Sequence, residues 1–114
     1  MAVPNSFIRA WRLWQRADRP YSSAYLQGKN TASYAVEYIL DHMDSTIYVR
    51  GLAAIEGRQL NYAAVVAEEL AQLENVDREL NSSSISDGDK ERFQEYMSIV
   101  RLLLEEMQQL PDRS

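Results

Sequence analysis

The sequence predicts an all-α fold, a small bundle of three to four helices with a C-terminal antiparallel helical hairpin. Three observations carry this expectation. Only four glycines and three prolines punctuate 114 residues. Apolar residues recur at helical spacing over long stretches, and strand-like alternation never survives beyond four residues. The length corresponds to one domain, residues 1–114, large enough to bury roughly 65% of the surface its unfolded chain exposes.

The first helix is expected at about 4–19. Phe7, Ala10, Trp11, Trp14 and Ala17 fall on one side of it. Arg9, Arg12, Arg16 and Arg19 are spaced 3, 4 and 3 apart and fall on the other. Residues of about 20–31 read as a connector, with Ser22, Ser23, Gly28 and Asn30 as turn formers and Tyr21 and Tyr25 as packing groups. The helical body then covers about 32–110.

A second helix starts near Thr31 or Ser33 and ends around Gly57. Val36, Leu40, Met43 and Ile47 give it an apolar face. The β-branched and aromatic run Thr46-Ile47-Tyr48-Val49 is weak in helix propensity, but the helical period continues through it, so the helix is kept, with Gly51 as the place where a kink would fall. The third helix covers about Asn61 to Leu80, with Ala63, Val66, Leu70, Leu73, Val76 and Leu80 inward. A polar loop follows, and Ser86 then caps the last helix, with Asp87 and Asp89 near the positive end of its dipole. Phe93, Tyr96, Val100, Leu103, Met107 and Leu110 repeat 3-4-3-4-3 before Pro111 ends the helix. Neither helix of the hairpin is apolar all round, so both need further cover. The first helix docked across the others, or a symmetric dimer, supplies it.

Charge is the main functional signal. The first thirty residues carry a balance of +4 and the remaining 84 a balance of −9. An acidic pI near 4.8 argues against nucleic acid as the main partner. The absence of cysteine removes disulfides, thiolate metal sites and thiol catalysis, and suits a reducing cytoplasm. No stretch approaches the ~20 apolar residues that span a bilayer. No catalytic motif, cofactor fingerprint or metal-ligand spacing stands out. The single histidine, His42, has no Glu-x-x-His partner and reads as a surface or bundle-edge residue. The doublets Glu68-Glu69 and Glu105-Glu106 read as bundle-edge charges.

The expectation is therefore a non-enzymatic protein–protein interaction module of the adaptor, assembly-factor or regulator type, taking another protein or a second copy of itself. Its contact surface is expected to comprise Phe7, Arg9, Trp11, Arg12, Trp14, Arg16, Arg19, Tyr21 and Tyr25, with the tryptophans as anchors. Glu37, Asp41 and Asp44, spaced 4 and 3, form a complementary acidic stripe on the second helix. Either the two stripes meet, within one chain or between two, or the acidic one is a solvated helix face, as charge stripes usually are. The alternatives are a small-molecule-binding protein or enzyme with a tyrosine-lined pocket between helices, reached by His42 or Glu37, and a binder of a lipid or nucleic-acid surface through the basic helix.

Overall fold

A computed structural model of the chain describes residues 3–17, 19, 31–58, 62–82 and 86–110, with the side chains of 31–35 excepted. These residues form four helices and no strand: α1 (Asn5–Arg16), α2 (Thr31–Ile55), α3 (Tyr62–Ser82) and α4 (Asp87–Gln108). The body measures 46 × 23 × 18 Å, an elongated bundle set by helices of 21 to 25 residues. The connector, with Tyr21 and Tyr25, lies outside the described residues, as does Pro111.

Neighbours in space are not all neighbours in sequence. α3 packs on both α2 and α4, while α1 crosses to pack on the last helix, α4. Phe7, Ala10, Trp11 and Trp14 of α1 join the core formed by Leu40, Met43, Ile47, Leu73, Val100 and Leu104, among others. The first helix thus docks on its own chain, one of the two covers open from sequence.

Each boundary has a local cause. α1 follows Pro4, whose carbonyl accepts from Ile8 N–H at 3.2 Å. It ends three residues earlier than expected, because Ala17 is extended (ψ 143°). α2 ends in a Schellman arrangement: Gly57 takes φ 76°, its N–H reaches the Ala54 carbonyl, and Arg58 N–H reaches that of Ala53. Glycine suits that positive φ because it has no Cβ to clash. Ser86 caps α4 as expected, its hydroxyl accepting from Asp89 N–H at 3.2 Å.

One core assignment changes. The inward stripe of α3 is Tyr62, Val66, Glu69, Leu73, Val76 and Leu80, whereas Ala63 is exposed and Leu70 only half-buried. The stripe steps 4-3-4-3-4 from Tyr62, one residue earlier than the apolar pattern from Ala63 suggested. α2 continues through the weak run and Gly51 to Ile55, as its period indicated. Gly51 is there for space. A Cβ on it would meet the six-membered ring of Trp11, lying 2.6 Å from Cε3 and closer still to Cζ3.

That contact gives a direct expectation. Gly51→Ala raises helix propensity by about 1 kcal/mol, yet forces apart a rigid ring and a helix backbone. Overpacking of this kind costs roughly 1–3 kcal/mol and wins, since the ring is packed against Phe7, Trp14 and Tyr48. Urea denaturation should show net destabilisation. A gain in stability would mean that Trp11 can leave the glycine at no cost.

Candidate functional site

α1 divides the site into an inner and an outer side. Inside, Phe7 and Trp11 stack with centroids 6.3 Å apart, and Trp11 meets Trp14 at 5.2 Å. Tyr48 of α2 covers Trp11 from the solvent side at 6.1 Å. Phe7, Trp11 and Trp14, expected as anchors for a partner, are thus buried anchors of the chain's own core.

The Trp14 indole needs a hydrogen-bond acceptor once buried. Its Nε1–H donates to the Tyr96 hydroxyl of α4 at 3.1 Å. The Tyr96 hydroxyl in turn donates to the Asp44 carboxylate of α2. Arg19 completes the chain, its Nε–H donating to the other Asp44 oxygen at 3.3 Å. The same guanidinium donates through Nη1 to the Trp14 and Ala17 carbonyls, at 2.6 and 2.7 Å, and so satisfies the frayed end of α1. It also lies over the Trp14 and Tyr96 rings, 4.8 and 5.2 Å from their centroids.

Burial raises the pKa of Asp44 above the ordinary carboxylate value, opposed by the Tyr96 hydrogen bond and the Arg19 charge. Burial, followed by the neighbouring Asp44 charge, also raises that of Tyr96. The hydroxyl therefore stays protonated and remains a donor to Asp44. This network ties α1, α2 and α4 together.

The two charge stripes do not meet as rows. Arg19 pairs with Asp44 only because it lies beyond the end of α1 and folds back over Trp14. Arg9, Arg12 and Arg16 are exposed, and among the described residues no ion pair joins them to Glu37 or Asp41. Geometry requires this. The arginines lie opposite the tryptophans, so burying one side turns the other to water. Glu37 is half-buried and Asp41 exposed on α2.

On the outer side, Arg9 and Leu13 of α1 face Leu102 and Glu106 of α4 across a groove of about 240 Å³, floored by Ala10 and flanked by Ser6. Leu13 and Leu102 are 39% and 43% exposed, unusual for large apolar side chains on the same groove. A second cavity, about 250 Å³, opens between α2 and α3 and is lined by Tyr38, Ile39, His42, Glu69 and Gln72. Among the described residues no three His, Asp or Glu side chains are placed to share a metal ion. No helix among them is long and apolar enough to cross a membrane.

Sequence reasoning missed Tyr96, Glu69 and Leu102 as site residues. Tyr96 counted only as one apolar position of the α4 seam. A signal for Glu69 was present: the stripe from Tyr62 through Val66, Leu73, Val76 and Leu80 passes through it. No family model, curated protein or solved structure matches this chain.

Proposed function

We propose that the chain is a non-enzymatic interaction module, working in the cytoplasm, that docks an acidic protein surface along the outer face of α1. One observation carries the reading. Arg9, Arg12 and Arg16 stand exposed on a helix whose other face is locked in the core, with no carboxylate paired to them among the described residues. A fixed row of guanidiniums on a chain of net charge −5 is a local positive field on an otherwise acidic body. Carboxylates presented at one-turn spacing match it, and bidentate pairing would set register and orientation. The groove residues Leu13 and Leu102 supply the apolar anchor that Trp11 and Trp14, being buried, do not. Tyr21 and Tyr25 extend this surface on sequence grounds alone.

The same burial weighs against a lipid surface, since the aromatic rings that would enter the membrane are already covered. A second copy of the chain is one acidic surface that fits. Light scattering on the full chain separates that case from a foreign partner.

The test uses a photo-crosslinking residue at Leu13, with one at Tyr48 on a different face as control. The protein captured only through Leu13 is then purified, and its affinity for the chain is measured. Reversing Arg9, Arg12 and Arg16 to glutamate should leave the fold intact, because all three are exposed, and weaken binding at least about tenfold, mostly through the association rate. Binding that ignores the triple reversal, or no capture at Leu13, would sink the proposal.

A further inference from the structure

The core stripe of α3 contains one residue that does not belong in a core. Glu69 lies between Val66 and Leu73, is 6% exposed, and is the only charged residue buried among those described. No hydrogen bond or ion pair among the described residues holds its carboxylate. Burial raises its pKa, partly opposed by the charge of His42. Among the described residues no buried polar side-chain atom is left without a partner, so the Glu69 carboxylate oxygens keep their contact with solvent, which they meet at the cavity between α2 and α3.

We propose that this cavity binds a small organic ammonium ion, a primary amine on a short alkyl chain. Four of the five lining residues favour that chemistry, and His42, the fifth, opposes it. Glu69 supplies a negative charge in surroundings that strengthen its attraction for a cation. Gln72 offers a side-chain carbonyl as second acceptor. Tyr38, at the mouth, presents an aromatic face for a cation–π contact, and Ile39 gives the alkyl chain an apolar wall. At about 250 Å³ the cavity lies below the roughly 300–1,000 Å³ of drug-sized sites, so the ligand is small.

Other ligand classes fit less well. An anion meets the Glu69 charge. A neutral apolar molecule strips water from the carboxylate and gives nothing back. A metal ion needs converging ligands, but His42 and Glu69 are not within ion-pairing reach of each other. The site is separate from the groove between α1 and α4 and does not depend on the docking proposal.

Amide NMR titration of the full chain with n-butylammonium tests this, with butyrate, sodium and zinc ions as comparisons. Butylammonium should give saturable shifts at Ile39, His42, Glu69 and Gln72, with a dissociation constant on the order of 1 mM. Butyrate and sodium should give none there. Glu69→Gln keeps the shape and should weaken binding at least about tenfold. Tyr38→Ala, at a side chain 75% exposed, should leave folding unchanged and weaken binding a few-fold. If Glu69→Gln fails to fold, the Tyr38→Ala result and the butylammonium–butyrate contrast decide the matter. Equal shifts from sodium and butylammonium, saturation by zinc alone, or affinity unchanged in both variants would overturn the assignment.

Discussion

A chain beginning at Tyr21 is expected to lose cooperative folding. Removal of α1 strips Phe7, Trp11 and Trp14 from the core, and all three are buried there. Together these rings bury roughly 500 Å², worth on the order of 10 kcal/mol before ordering costs. A domain of this size has about 5–15 kcal/mol of net stability, so the loss is comparable with the whole. Deletion also uncovers Tyr96 and the α4 seam, and takes away Arg19, the ion-pair partner of Asp44. Circular dichroism during urea titration checks this: the full chain should unfold in one sigmoidal step, the truncated chain in a shallow slope. A peptide of residues 1–19 added in trans should restore the step. A truncated chain that unfolds cooperatively near the midpoint of the full chain would show that α1 is an accessory and not a wall of the core.

The second large effect is at the polar junction beneath that helix. Tyr96→Phe keeps the ring and removes one hydroxyl, which both accepts from Trp14 and donates to Asp44. The change leaves a buried indole N–H without that acceptor and a desolvated carboxylate without that donor. The expected cost is about 2–4 kcal/mol at pH 7, at the upper range for one hydroxyl because an ionised acceptor is involved.

The pH dependence separates this mechanism from mere loss of packing. Asp44 holds its proton more tightly folded than unfolded, because burial outweighs the help of Tyr96 and Arg19. Its contribution to stability is therefore fullest below its unfolded pKa of about 3.9 and declines as pH rises through the raised native value. Removing the Tyr96 hydroxyl raises that native value further. The variant should accordingly lose more stability at pH 7 than at pH 4, when each is compared with the parent chain. In an Asp44→Asn background, the cost of Tyr96→Phe should no longer vary over that range. A cost independent of pH in both backgrounds would mean that the hydroxyl acts on Trp14 alone.

Much of the architecture was legible from residue spacing. The α4 seam from Phe93 to Leu110, the Ser86 cap and the stop at Gly57 are local signals, and each acts through a few neighbouring residues. A local cause can be read along the chain, because hydrogen-bond periodicity and the space available at one φ are set within a turn or two. The opposed tryptophan and arginine faces of α1 were likewise present in the spacing.

What covered those faces was not. Whether α1 folds back depends on whether it fits the cleft between α2 and α4. That fit rests on Gly51, forty residues from Trp11, leaving room for an indole ring. Arg19 appeared to continue a helical stripe, and only the extended backbone at Ala17 turns it towards Asp44. Glu69 read as a bundle-edge charge beside Glu68, and packing against α2 placed it inside. The sequence by itself determined that the chain is helical, the cap of α4, the stop of α2 and the apolar sides of α1 and α4, since these follow from short-range geometry. The tertiary structure alone decided which polar residues were caught between helices. Desolvation at a given position depends on every surface that closes over it, and those surfaces come from distant parts of the chain.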